Sequence, residues 1–286
     1  MWLPLGECAV VERVVARALT IAGSDSSGGA GIEADLKTFT ALGVYGMAAV
    51  TSVTAQNTTG VIAAHHLPPA LVAQQINAVA GDIGIDAAKT GMLANARIIE
   101  AVAACVAAHH IPNLVVDPVM VASSGARLLE ASACAILKER LLPLAFLLTP
   151  NIPEAEALTG MTIRDPNDVR NAAQRLHETG VRYVLIKGGH LNTAEAADYL
   201  YDGAGFHEFT AARVNTSNTH GTGCTYSAAI AAYLAKGIEV IEAVRQAKAY
   251  VTEAIRHGFQ LGNGPGPLNH FWSLANRAEC RMQNEE

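Results

Sequence analysis

Residues 18–43, ALTIAGSDSSGGAGIEADLKTFTALG, begin with one periodicity and finish with another. ALTIAG (18–23) is a short apolar run of the kind that forms a buried strand, and GIEADLKTFTALG (31–43) has helical spacing, with Ile32, Leu36 and Phe39 on one stripe. Between them GSDSSGGAG (23–31) is a loop of small residues. The same alternation continues downstream. MAAVTSVTAQN (47–57), IDAAKTGML (85–93), NLVVDPVM (113–120), FLLTPN (146–151) and VRYVLIKGG (181–189) read as further strands. LPPALVAQQINAVAGD (67–82) reads as a helix opened by prolines, and Asn95 as the N-cap of the next helix. YLYDG and HEFTAAR look like a hairpin, and two helices, 222–236 and 238–258, close the pattern. Strands alternating with helices predict an α/β fold with a mostly parallel central sheet flanked by helices on both faces. The expected organisation is a single domain over 18–272, with an N-terminal extension (1–17) and a C-terminal tail (273–286).

The chain has 286 residues, half of them hydrophobic, and a net charge of −6. That length suffices for one large core, and the charge argues against a nucleic-acid partner, because phosphate backbones need a basic surface. The five cysteines are scattered without CxxC spacing, so neither a disulfide framework nor a structural zinc site is expected. The first residues, MWLPLGECAVVERVVARALT, carry Glu7 and Glu12 and no basic leader, so no signal peptide is read there. No apolar run approaches the ~20 residues of a membrane helix. The expected location is the cytoplasm.

In parallel sheets, ligands bind beyond the carboxyl ends of the strands, and the chemistry-bearing residues fall there. GSDSSGGAG is neither GxGxxG nor GxxxxGK[ST], so a Rossmann oxidoreductase is excluded, and the glycines serve either a close ligand or a tight turn. Asp35 lies beside the apolar stripe of its helix, where an acid is ordinarily solvated. Gln56 ends a strand; its amide either caps a turn or reads a ring edge that offers both a donor and an acceptor. Met92, in KTGML, fits a core as well as a pocket. Asp117 ends the next strand. Asn151 and Glu154, in TPNIPEAE, are spaced for a helix start or for a hydrated divalent cation, since Mg²⁺ takes few carboxylates and keeps waters. Lys187 ends a strand where a point charge could meet a phosphate. THGTGCTYSAAIAAYLA (219–235) is a small-residue loop running into a helix, and the amides of Gly221, Thr222, Gly223 and Cys224 would form an anion site at its amino end.

Taken in chain order, AGSDSSGGAGIEADLKTF, AQNTTGV, KTGML, DPVM, TPNIPEAE, KGGH and NTHGTGCT resemble the ribokinase superfamily. More closely they resemble its vitamin-kinase branch, the hydroxymethylpyrimidine/phosphomethylpyrimidine kinases of thiamine biosynthesis. The resemblance implies a ribokinase-like three-layer fold and two ATP-dependent phosphorylations, of 4-amino-5-hydroxymethyl-2-methylpyrimidine to its monophosphate and then to its diphosphate. It implies Mg²⁺ with ATP, leaves a monovalent cation open, and implies a homodimer. By the same resemblance Gln56 reads the pyrimidine edge, with Gly23, Asp35 and Met92 as other pocket positions. Lys187 and Asn151 would bind ATP, Glu154 and Asp117 would hold the metal (Asp117 at a position where members vary), and Gly221, Thr222, Gly223 and Cys224 would form the catalytic anion hole. Most of the superfamily carries aspartate where this chain has Cys224; a thiol at a helix amino end is expected to have its pKa lowered from ~8.5. The alternatives are a pyridoxal kinase of the same branch and a non-catalytic ligand-binding relative.

Overall fold

The computed structural model describes residues 15–121, 125, 128–130, 132–190 and 195–274. The expected tail, apart from Ser273 and Leu274, and the expected extension, apart from residues 15–17, lie outside the described residues. Arg17 already belongs to the sheet. It opens β1 (Arg17–Asp25), where its backbone and guanidinium both donate to Asp86.

The strand and helix of the opening stretch form as β1 and α1 (Gly31–Ala41). The sheet has the order β3-β2-β1-β4-β5-β6-β7-β8-β9. Its members are β2 (Tyr45–Asn57), β3 (Gly60–His66), β4 (Ala87–Thr90), β5 (Leu114–Val116), β6 (Leu147–Leu148), β7 (Tyr183–Ile186), β8 (Glu195–Tyr201) and β9 (Phe206–Ala212). From β2 to β7 all neighbours are parallel, while β3, β8 and β9 pair antiparallel at the two edges. The central strands are buried almost continuously because both faces are covered, which is why they read as apolar runs rather than as alternations.

The helices α2 (Pro69–Asp82), α3 (Ala96–Ala108), α5 (Ile152–Thr159) and α6 (Pro166–His177) bury one core with residues such as Val72, Ile98, Leu158 and Val169. On the same side a short α4 (Ala133–Ile136) runs on through Leu137–Leu141 and Leu142–Leu144 as single wide and tight turns. The opposite core holds Phe39 of α1 together with α7 (Thr222–Ala235) and α8 (Val240–Arg256). The expected three layers are therefore present.

The expected caps are present too. The Asn95 side chain accepts from the Ile98 amide at 3.1 Å, and Pro69 opens α2. β3 was not anticipated. Its residues are nearly all exposed, so neither face imposes an alternation; the Asn57 side chain instead makes the turn by accepting from the amides of Thr59 and Gly60. The helix α7 is apolar all round because it is packed on all sides, between α1, α8 and the strands β1, β4 and β5. Its burial fixes the direction of its amino end, which opens into a cavity.

Candidate active site

That cavity, of about 900 Å³, lies beyond the carboxyl ends of the strands. Chain direction switches there, since β1 leads to β2 on one side and pairs with β4 on the other. Gly23, Gln56 and Met92 line it, as do Asp117, Asn151, Glu154 and Lys187. The first turn of α7, Gly221 to Cys224, lines it as well.

Backbone contacts hold that turn. Gly221 is left-handed (φ 84°), and a Cβ there would stand 1.9 Å from the Gly29 carbonyl oxygen. Only glycine permits both the conformation and the approach. The turn is thus packed directly on the 23–31 loop. A Cβ on Gly223 would face the other way, 3.4 Å from Lys187 Nζ and 3.9 Å from Asp117 Oδ2. Thr222, expected to offer its amide to a ligand, spends it on the Thr219 carbonyl at 3.2 Å. Among the described residues the amides of Gly221, Gly223 and Cys224 have no protein acceptor. Such unpaired N–H groups at a helix amino end attract an anion.

Two residues that sequence reasoning passed over hold the loop to this turn. Asp25 is buried and accepts from the Ser27 and Ala30 amides, both at 2.9 Å, and from the Ser27 hydroxyl. Its other partner is His220 Nε2, at 2.8 Å. Burial alone would raise the Asp25 pKa, but the His220 and Ser27 bonds outweigh it and hold the carboxyl below its usual range. His220 immediately precedes Gly221, and a Cβ on Gly29 would stand 2.4 Å from its ring. The signal was an acid followed by turn residues, which has no periodicity to notice.

Lys187 and Asp117 meet at 2.9 Å, and Ser227 of α7 donates to the second Asp117 oxygen at 3.0 Å. Burial opposes the Lys187 charge, but Asp117 and Glu154 more than restore it, so the ammonium persists. Asn151 and Glu154 cap α5 reciprocally, each side chain accepting the other's amide at 2.9 and 2.8 Å. The pair starts a helix, one of its two sequence readings, and also lines the cavity. Burial pushes the Glu154 carboxyl up to about 7, with Lys187 pulling it back and Asp117 adding to the rise.

Two expectations need correction. Asp35 is not on the cavity wall. It is fully buried on the inner face of α1, where Lys89 of β4 donates to its two oxygens at 2.9 and 2.8 Å and Thr20 donates at 2.6 Å. The inward register of the helix hands that carboxylate to a buried ammonium rather than to a ligand. The Cys224 thiol is not activated either. Burial of its surroundings pushes it up to about 11; the Lys89 ammonium offsets part of this, Asp35 and Asp117 add to it, and the Gly31 amide stabilises the sulfur slightly. The amino end of α7 is outweighed by desolvation, so the resting group is a neutral thiol.

Among the described residues no three His, Cys, Asp or Glu side chains gather as a metal cluster. Glu154 and Asp117, both of which act electrostatically on Lys187, are together a donor set that fits Mg²⁺, which needs only one or two carboxylates beside phosphate oxygens and water.

A family model described as phosphomethylpyrimidine kinase matches residues 25–269. The chain is 56% identical to a thiamine biosynthesis bifunctional protein of Geobacter sulfurreducens, over 88% of this chain and 52% of that longer protein. It is 50% identical to a hydroxymethylpyrimidine/phosphomethylpyrimidine kinase of Bacillus subtilis, over 89% and 94% of the two chains. Among solved structures, Bacillus subtilis pyridoxal kinase in complex with ADP superposes with a TM-score of 0.84 at 42% identity, covering 90% of this chain and 97% of that one. With the match running from Asp25 in the 23–31 loop through the α7 turn, the chain belongs to the phosphomethylpyrimidine kinase family.

Proposed function

We propose that this kinase uses ATP to phosphorylate 4-amino-5-hydroxymethyl-2-methylpyrimidine, and then phosphorylates the monophosphate to the diphosphate, in thiamine biosynthesis. One observation carries the reading: unpaired amides of the α7 turn share a cavity with the Lys187–Asp117 pair on one side and Gln56 on the other.

Gln56 reads the ring. Its main chain is fixed by Ser26, which donates to the Gln56 carbonyl at 2.7 Å and accepts its amide at 2.8 Å. Among the described residues its side-chain oxygen takes only a long bond from Thr54, at 3.3 Å, which leaves the amide to present a donor and an acceptor to an aminopyrimidine edge. Gly23 and Met92 both line the cavity, and a Cβ on Gly23 would stand 3.1 Å from the Met92 sulfur, so the two together give the ring an apolar seat. The transferring phosphoryl group rests on the amides of Gly221, Gly223 and Cys224, with Lys187 supplying a point charge. Each such donor is worth roughly 10²–10³ in rate. Phosphoryl transfer through a loose transition state asks for alignment first and for proton removal late. A neutral Cys224 already carries its proton and cannot take another, so it borders the acceptor as a positioning group, and the alcohol proton passes to a phosphoryl oxygen as the new P–O bond forms and the bond to ADP breaks. The monophosphate is already ionised and has no such proton to lose.

Mg²⁺ belongs to the same reading, held by Glu154 and Asp117 with Asn151 fixing the Glu154 backbone. Bound there, it supplies positive charge to the phosphate oxygens. Protons would compete with that ion for a Glu154 carboxyl near 7, so metal affinity should climb from pH 6 to 8. A homodimer and a cytoplasmic location complete the proposal. The outer edge of β3 lies open beside exposed Val53 and Ile62, and among the described residues no helix is long and apolar enough to cross a membrane.

A product assay tests this reading. The pyrimidine alcohol, its monophosphate and pyridoxal are each supplied with ATP and Mg²⁺; turnover of both pyrimidines is expected to exceed that of pyridoxal. Turnover of pyridoxal alone would establish the second reading, which the likeness to a pyridoxal kinase structure keeps in view.

A further inference from the structure

Beyond Lys187 the cavity wall holds an ion pair that the roles above leave unused. Asp198 of β8 and Lys248 of α8 meet at 2.7 Å, with side chains 2% and 11% exposed. Both border the cavity. The other Asp198 oxygen accepts the Gly188 amide at 3.0 Å, and Gly188 directly follows Lys187.

Each backbone unit of this turn has an anchor. The Lys187 amide donates to the Pro150 carbonyl at 2.8 Å, Asp198 takes the next amide, and Arg213 donates to the Gly189 carbonyl at 2.9 Å. Gly188 is also pressed against β8, since a Cβ there would stand 1.8 Å from the Ala197 carbonyl oxygen. A lysine side chain is long and flexible, so the place its ammonium reaches depends on where its backbone is held. Burying two charges is a poor way to gain stability, because apolar residues fill such a space at lower cost. The pair makes better sense as a geometric device. Lys248 occupies one carboxylate oxygen, with its own ammonium 5.9 Å from the Tyr226 ring centre, and so turns the other oxygen toward Gly188.

We propose that Asp198, oriented by Lys248, is a positioning residue that fixes the Lys187 ammonium for the nucleotide phosphates. The proposal rests on the assignment of Lys187 to those phosphates. Lys248→Met removes the orienting charge. It is expected to raise KM for ATP about tenfold, the scale of one misplaced hydrogen bond, and to shift KM for the pyrimidine alcohol less than about twofold. Lys248→Arg should restore ATP use to within about threefold of the parent. If Lys248 acts through Asp198, Asp198→Asn combined with Lys248→Met is no worse than the worse single variant.

Steady-state kinetics with varied ATP and varied pyrimidine alcohol, beside thermal melts of each variant, make the test. Should Lys248→Met fail to fold, the double variant, which leaves no unpaired charge, carries the same comparison. Unchanged ATP KM in the folded variant, while Lys187→Met raises it, overturns the proposal alone. Equal changes in both KM values mean general damage and overturn it as well. Multiplicative losses in the double variant mean that Lys248 meets the nucleotide itself, which also refutes positioning. If Lys187→Met leaves ATP kinetics unchanged, the phosphate assignment falls and takes the proposal with it.

Discussion

A neutral resting Cys224 has a direct chemical readout. Alkylation by iodoacetamide requires the thiolate, so its rate follows the titration of the group. Burial moves this thiol from 9.0 to about 11. Two units mean that below pH 9 the thiolate is about 100-fold scarcer than at an ordinary cysteine. A more basic thiolate is also more nucleophilic, with a Brønsted slope of ~0.4–0.5, which returns somewhat less than tenfold. The net expectation is alkylation roughly tenfold slower than that of the same cysteine in urea-unfolded chain at pH 8. The rate should still be rising at pH 10, where the unfolded reference has levelled. Short pulses across pH 7 to 10.5, followed by peptide-resolved mass spectrometry, separate Cys224 from the other cysteines. A profile that levels at or below pH 8.5 would refute the argument, because it would mean that the helix amino end and Lys89 outweigh desolvation.

Cys224→Ala should slow phosphorylation of the alcohol and of the monophosphate by similar factors, as loss of a neutral positioning group would; a loss confined to the alcohol step in single-turnover assays would mean that the thiol takes part in its proton transfer. Gly221→Ala imposes an unfavourable left-handed alanine, ~1–2 kcal/mol, and drives a methyl into the Gly29 carbonyl, so kcat should fall on the order of 10²-fold through misplacement of the hole. Wild-type kcat in that variant would show that the contact is dispensable. Asp35→Ala strands the Lys89 ammonium in the core and should cost about 3–5 kcal/mol, read as a lowered urea midpoint, while Asp35→Leu with Lys89→Met should recover much of it. Burial, with a smaller contribution from Lys37, holds the His270 pKa at about 4, well below its ordinary 6.5. The folded state therefore binds fewer protons, and this contribution to stability, complete above pH 6.5, is lost as pH falls toward 4. His270→Gln should flatten the urea-midpoint profile across that window.

What a reader of the sequence can and cannot see follows from the range of the interactions. Strands such as β1 and β4, and caps such as Asn95, are written in neighbouring residues, and so is the α7 turn, whose glycines stand together. The residues that tie the site together are not. His220 finds Asp25 across most of the chain, and Lys248 finds Asp198 across a hairpin and a helix. Asp35 illustrates the limit more sharply. Its place on the helix is readable, but whether an inward carboxylate meets a ligand or a lysine depends on the strand beneath it, and here β4 supplies Lys89. The state of Cys224 is of the same kind. Local position argues for an acidic thiol, and the surrounding protein, which no local pattern records, decides otherwise.

The back-to-back seating of Gly29 and Gly221 bears on how such a protein can acquire new substrates. Ser26 grips Gln56 only by its main chain, so the side chain at that place can be exchanged without loosening the loop from the helix. On the proposed roles of Gln56 and the α7 turn, recognition of the ring and delivery of the phosphoryl group are mechanically separable. A lineage could try one heterocycle after another at the rim while the machinery beneath stayed in register.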